Sequence, residues 1–230
     1  MEFRSPDRHD IRIERIHKNE IDLTRLRQLD RLFNQVASKA MSPAEGLTAL
    51  ERIIASPPRF GKASDFIAFG LTSACATPMF GGGFTDMLPG LAAGTAVALV
   101  ALLAPARLLV PLGGFCAALT VALLAPIMPA INLDAAILSG VIVLVPGFTL
   151  TLGVSELVTH NITAGVSRLG SALITSLSLS FGVLMGTAVG GSMVDFTTLP
   201  TSAAAPAWAA WVVLPVAVIT INILFRAPVR

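Results

Sequence analysis

From Phe66 to the C-terminus, about 165 residues carry only eight formal charges: Asp86, Arg107, Asp134, Glu156, Arg168, Asp195, Arg226 and Arg230. Most of the apolar runs between them approach about 20 residues, the length that crosses a hydrocarbon core as a helix. No water is available there to satisfy backbone groups, so a run of this kind folds as a helix that bonds to itself. The runs divide into six candidate spans: Phe66 to Phe84, Met87 to Ala104, Leu108 to Met128, Leu133 to Val154, Leu169 to Gly191 and Ala207 to Phe225.

Twelve of the sixteen Lys/Arg and ten of the fourteen Asp/Glu fall before Phe66. With 54% hydrophobic and 13% charged residues overall, the chain reads as an all-α polytopic membrane protein of about six transmembrane helices. A short cytoplasmic helical hairpin precedes them. The expected division is 1–65 as the cytoplasmic segment, 66–192 as a five-span membrane module, and 193–230 as a linker and final helix. Residues 1–65 contain no basic stretch, apolar run and cleavage site in the order a secretory signal requires.

Within the polar segment, IRIERI (11–16) is too short to assign to strand or helix. Leu23, Leu26, Leu29, Leu32, Phe33 and Val36 recur at helical spacing and predict an amphipathic helix from Asp22 to Lys39. Ser42, Pro43 and Glu45 form a capping box that starts a second helix, which Pro57-Pro58 ends. The pair is expected to pack as a hairpin, with attachment to the membrane surface as the alternative. The net charge of +2, with acids interspersed among the bases, excludes a nucleic-acid partner.

The loop charges orient the spans. Loops after the odd-numbered spans contain Asp86, Asn132, Asp134 and Asp195 but no Lys or Arg, whereas Arg107, Arg168, Arg226 and Arg230 all fall on the other side. This is the positive-inside pattern, and it places both termini in the cytoplasm and the protein in the cytoplasmic (inner) membrane. Gly182, Gly186 and Gly190 stand at four-residue spacing and predict a close helix contact. GGGFTD (81–86) and GGSMVD (190–195) share a GGxxxD echo at the outer ends of two spans, too short to establish a repeat.

Chemistry concentrates around VLVPGFTLTLGVSELVTHNITAGVSRL (143–169). Pro146 removes a backbone donor within a span and Gly147 loosens the chain after it. The alternatives are an ordinary kink satisfied by Thr149 and Thr151, or a broken helix that binds a small polar substrate within the membrane. Glu156 and His160 are four residues apart. On a helix they share a face and serve as a proton acceptor or gate; in a cytoplasmic loop from Ser155 to Ser167 they are simply solvated. Arg168 is either a positive-inside anchor or a clamp for a substrate carboxylate. Gly81, Gly82 and Asp86 are the corresponding candidates at the outer side, with a solvated cap as the plainer role for Asp86. Cys75 and Cys116 read as small buried hydrophobes. Hydrolase, kinase and metal-ligand signatures are absent, so no catalytic residue, metal or cofactor is assigned and the chain is read as a non-enzyme.

The ordered elements DLTRLRQLDRLFNQV, SPAEGLTALERI, FGGGFTDM, LVPGFTLT and SELVTHNITAGVSRL resemble the N-terminal module of the threonine/serine exporter family, over roughly Asp22 to Gly191. The resemblance implies a proton-coupled antiporter that exports small polar amino acids. It also implies that most of a cytoplasmic domain and a second membrane module lie outside this sequence, the last span looking like the start of that second half. The expected partners are the lipid bilayer, the transported amino acid, and a second membrane module or a second copy of the chain. Half of a two-component dicarboxylate (succinate) exporter is the alternative within transport, and a non-transporting membrane subunit or fragment the alternative outside it.

Overall fold

The computed structural model describes residues 2–5, 8–11, 23–56 and 61–226, and the chain divides into two compact units. One comprises residues 1–57 with 225–230, the other residues 58–224.

In the first unit, β1 (Glu2–Ser5) and β2 (Arg8–Ile11) form an antiparallel hairpin with Glu2 opposite Ile11. Ile11, the first residue of IRIERI, is therefore a strand residue, while the rest of that motif lies outside the described residues. Helix α1 (Leu23–Ala37) precedes α2 (Pro43–Ala55). Ser42 accepts from the Glu45 amide and Glu45 accepts from the Ser42 amide, which completes the predicted capping box. The Ser42 backbone and hydroxyl hydrogen bonds hold the Glu45 carboxyl below the usual range. Its contribution is therefore present above the ordinary carboxylate pKa and fades as pH falls through the lowered one. The two helices meet where Gly46 is buried against Val36. Leu26, Phe33, Leu47 and Ile54 nevertheless stay exposed. Pro57-Pro58 lies outside the described residues.

The second unit is a bundle of α3 (Lys62–Ala76), α4 (Met87–Leu103), α5 (Leu109–Leu124), α6 (Leu133–Val141), α7 (Gly147–Val158), α8 (Ile162–Met193) and α9 (Ala209–Leu224). This is a helical membrane protein. By length and composition, Leu109–Ile127 and Ile162–Met193 each suffice to cross a bilayer, and the α6–α7 pair reaches that length together, bent by 60°. Helices α4 and α9 are shorter apolar helices.

The core is built from small side chains. Ala93, Val97, Ala117, Ala118, Val121 and Ala136 are sealed between α4, α5 and α6. Lipid gives no hydrophobic incentive for helices to associate, so close backbone approach and dispersion contacts must hold the bundle. The Gly182–Gly186–Gly190 ridge supplies that approach. A Cβ on Gly182 would strike the Pro111 carbonyl, one on Gly190 would strike Ala122, and one on Gly186 would lie 2.5 Å from the Phe115 carbonyl oxygen. Gly114 of α5 returns the contact, with its Cβ position 2.8 Å from the Leu179 carbonyl. Helix α9 packs on α3 through Cys75, Val213 and Ala217, and the buried Thr72 and Thr220 hydroxyls hydrogen-bond across that interface at 2.8 Å. The last helix is thus part of this unit.

Substituting Gly186→Val forces a side chain into carbonyl and Ala118 atoms that cannot retreat, a clash expected to cost about 1–3 kcal/mol. Gly170, whose Cβ position meets nothing within 4 Å, provides the control. Thermal unfolding in detergent should show Gly186→Val melting well below the parent and Gly170→Ala at or above it.

Candidate functional site

Helix α6 and its 3-10 extension (Ile142–Leu144) end at Val145, and α7 starts at Gly147 after a 60° change of direction. Proline causes the break directly. Pro146 has no amide to continue the helix and adopts φ −79°, ψ 45°, so the Gly147 amide turns back to the Val145 carbonyl at 2.8 Å. The Pro146 carbonyl then accepts from Leu150, and the Thr151 hydroxyl folds onto the Gly147 carbonyl at 3.0 Å. Gly147 faces open space, with nothing within 4 Å of its Cβ position, and Thr149 is half-buried. A helix broken in this way presents polar backbone at a point where an unbroken one would present only side chains.

Helices α7 and α8 then form a tight hairpin. Gly153 and Gly165 face each other, and a Cβ on Gly165 would lie 2.9 Å from the Gly153 carbonyl oxygen. The Ser155–Ser167 segment is therefore helix, a three-residue connection and helix, in place of the solvated loop that its polarity allowed. Helix α7 stops at Val158, so Glu156 and His160 do not share a helical face. Glu156 instead pairs across the hairpin with Arg168, Oε1 to Nε at 2.7 Å. The pair is 23% and 47% exposed, which limits its worth to about 0–1 kcal/mol. Its second oxygen, Oε2, is buried without a partner.

His160 occupies the position after the helix end with φ 63°. Its amide bonds to the Leu157 carbonyl and the Asn161 amide to the Glu156 carbonyl at 2.8 Å. This is a Schellman cap, whose left-handed residue is ordinarily glycine. The imidazole is exposed.

A second cluster lies at the opposite end of α6, about 18 Å away by helical rise along residues 133–144. After α3, a 3-10 turn (Thr77–Phe80) ends at Gly81, which takes φ 84°. Residues 82–86 then lead into α4 and place Asp86 at its start, 0% exposed. The solvated role expected for this carboxylate does not hold. Asp86 Oδ2 accepts from the Gly83 amide at 2.7 Å and from the Ser202 hydroxyl, while Oδ1 accepts from the Asn132 amide at 3.0 Å. Asn132 caps α6 by accepting from Ala135. Gly82 donates to the Thr77 carbonyl and accepts from Ala205, and Ile131 donates to the Pro200 carbonyl. Below this hub, Thr77 donates to Ser139 at 2.8 Å under Gly90, and Ser73 Oγ is buried without a partner under Gly94. Asp134 is exposed. Asp195 caps a 3-10 turn (Phe196–Thr198), and hydrogen bonds from the Thr197 hydroxyl and amide lower its pKa. The two GGxxxD segments thus differ, since Gly190 is within a helix and Asp195 serves only a local cap. Among the described residues no group of three His, Cys, Asp or Glu is placed to hold a metal ion.

Residues 1–190 match a protein-family model described as "Putative threonine/serine exporter". The chain belongs to the threonine/serine exporter family. Among curated proteins it is similar to an uncharacterized protein of Schizosaccharomyces pombe, 31% identical over 84% of this chain and 27% of that protein. It is also similar to pheromone-regulated membrane protein 10 of Zygosaccharomyces rouxii, 27% identical over 90% of this chain and 22% of that protein. A second uncharacterized protein of Schizosaccharomyces pombe is 28% identical over 97% of this chain and 28% of that protein. The chain therefore spans about a quarter of the length of these relatives. No solved structure matches.

In this member of the exporter family, the candidate residues separate into three places. Pro146, Gly147, Thr149 and Thr151 line the break; Glu156 and Arg168 pair in the hairpin with His160 in its turn; Gly81, Gly82 and Asp86 form the far hub. Sequence reasoning missed Asn132 as a partner of Asp86, and it missed Ser202 entirely. Only the polar character of those residues between apolar runs signalled them.

Because His160 sits in a conformation that suits glycine, His160→Gly should relieve backbone strain of about 1–2 kcal/mol. Thermal unfolding should shift upward in the variant, while His160→Ala, which retains a Cβ, should leave the midpoint near that of the parent.

Proposed function

We propose that this chain is the membrane module of an exporter for small polar amino acids, threonine and serine, driven by proton exchange across the cytoplasmic membrane. The observation that carries this reading is the α6–α7 break, a 60° bend at Pro146-Gly147 within an apolar helix pair, with Gly147 facing open space. An amino acid needs partners for its ammonium, carboxylate and hydroxyl groups inside the bilayer. A broken helix provides carbonyls at one half-helix end and amides at the other. In this reading Glu156 and His160, at the far end of α7 from the break, act as the inner gate or proton acceptor. Family membership supports export in general. Operation with a second membrane module or a second copy of the chain is part of this proposal.

The dicarboxylate alternative draws less support, because it asks Arg168 to clamp a carboxylate while Glu156 already engages that guanidinium at 2.7 Å.

Six spans with both termini inside follow from the loop charges. A cysteine replacing the exposed Asp134, in a chain with Cys75→Ala and Cys116→Ala, should react with a membrane-impermeant maleimide added outside intact cells. Reaction only after the cells are opened would reverse the orientation.

Efflux tests transport itself. Cells loaded with threonine or serine and making this chain, with and without a partner carrying a second module, should release the amino acid faster than cells lacking it. Gly147→Val should cut that release severalfold at unchanged membrane abundance, since its side chain enters the open side of the break. Glu156→Gln and the structurally tolerated His160→Gly should each lower efflux and flatten its dependence on the proton gradient. Equal release with and without the chain in both settings overturns the export reading.

A further inference from the structure

Residues 199–206, LPTSAAAP, form no helix or strand, yet they are bound at three successive points to the end of the bundle that holds Asp86. Pro200 accepts from the Ile131 amide at 2.9 Å, Ser202 donates to Asp86 Oδ2, and Ala205 donates to the Gly82 carbonyl at 3.0 Å. The strap also lies close on the glycine loop, for a Cβ on Gly83 would stand 2.5 Å from the Ala203 carbonyl oxygen. The Asp86 side chain joins the three segments meeting here: the 81–86 loop, the start of α6 and the strap.

We propose that Asp86 is a proton-operated latch that holds this strap closed over the outer end of the bundle, so that protonation of its carboxylate releases the strap. Its use as the outer gate rests on the export reading above; the latch itself does not.

The argument is one of donors and acceptors. All three groups around Asp86, the Gly83 amide, the Asn132 amide and the Ser202 hydroxyl, donate to it, and an ionised carboxylate accepts from every side. A proton taken from water at the outer face and placed on the carboxylate removes its charge, and the three charge-assisted hydrogen bonds become neutral ones of about half the strength. The Gly83 and Asn132 amides are held by the turn and helix start they belong to, whereas Ser202 belongs to a strap without helix or strand, so the strap is the segment that yields. Loss of the proton back to water restores all three bonds.

Charges that would compensate are absent by sequence: residues 77–90, 128–140 and 194–206 contain no Lys, Arg or His. The other acids on these segments, Asp134 at the first turn of α6 and Asp195 before the strap, are both exposed. A buried carboxylate held by neutral donors alone depends wholly on them for its charged form. In an exporter driven by inward proton flow, a carboxylate that opens the outer end when protonated from outside would couple proton entry to substrate release.

Hydrogen exchange of the full chain in lipid nanodiscs, with no substrate present, tests the latch. Rates of the Ile131, Asn132 and Ala205 amides are read at pH 8 and pH 4.5, each divided by its intrinsic rate at that pH. Protection of Ala205 and Asn132 should fall at least about tenfold at the lower pH, and Asp86→Asn should show the low value at both. Ser202→Ala, which leaves the carboxylate in place, should expose Ala205 at pH 8 while Asn132 stays protected; it decides the case if Asp86→Asn does not fold. Protection in the parent that is the same at both pH values, or an unchanged Ala205 in Ser202→Ala, overturns the latch. Acid release of the strap in a chain that exports nothing overturns the export reading and leaves the latch standing. Efflux with pH-independent exchange does the reverse.

Discussion

Everything in the membrane unit follows from the fact that hydrocarbon cannot hydrogen-bond a backbone. Wherever a helix stops, the freed amides and carbonyls must find partners within the protein or in water. At the Asp86 end, one buried carboxylate meets this demand for three chain segments at once. It satisfies the Gly83 and Asn132 amides and fastens Ser202 to both. Hydrogen bonds to a charged acceptor contribute about 1.5–3 kcal/mol each, so this hub outweighs the exposed Glu156–Arg168 pair in holding the fold.

The two ends of α6 therefore have opposite characters. Its start is capped by Asn132 and tied through Asp86 to the strap. Its end is interrupted by Pro146, and the chain turns by 60° with Gly147 open. A helix anchored at one end and broken at the other is suited to transmit a change at either to its partner. The glycine contacts of α5 with α8 and of α7 with α8 provide rigid surfaces against which such a change would act, because backbones in contact cannot be compressed.

Much of the architecture was legible in the residues. The capping box at Ser42, the glycine ridge on α8 and the break at Pro146 each depend on local chemistry, and each stands in the structure where its spacing put it. The Asp86 hub was not legible, because its partners are 46 and 116 positions away in the chain and no periodicity relates them. The Glu156–His160 spacing misled for a definite reason. A left-handed residue at 160 ends the helix, and nothing in the side chain of histidine announces that conformation.

By itself, the sequence determined that this chain lives in a membrane, that its helices meet through small residues, and that one of them breaks at Pro146-Gly147. These properties are set by the solvent and by backbone stereochemistry, which act over a few residues at a time. Only the tertiary structure decided that Asp86 is buried, that Arg168 belongs to Glu156, and that residues 199–206 are tied to one end of the bundle. Those are pairings between distant segments, fixed by where the packed helices bring the loops and by the need of each buried polar group for a partner.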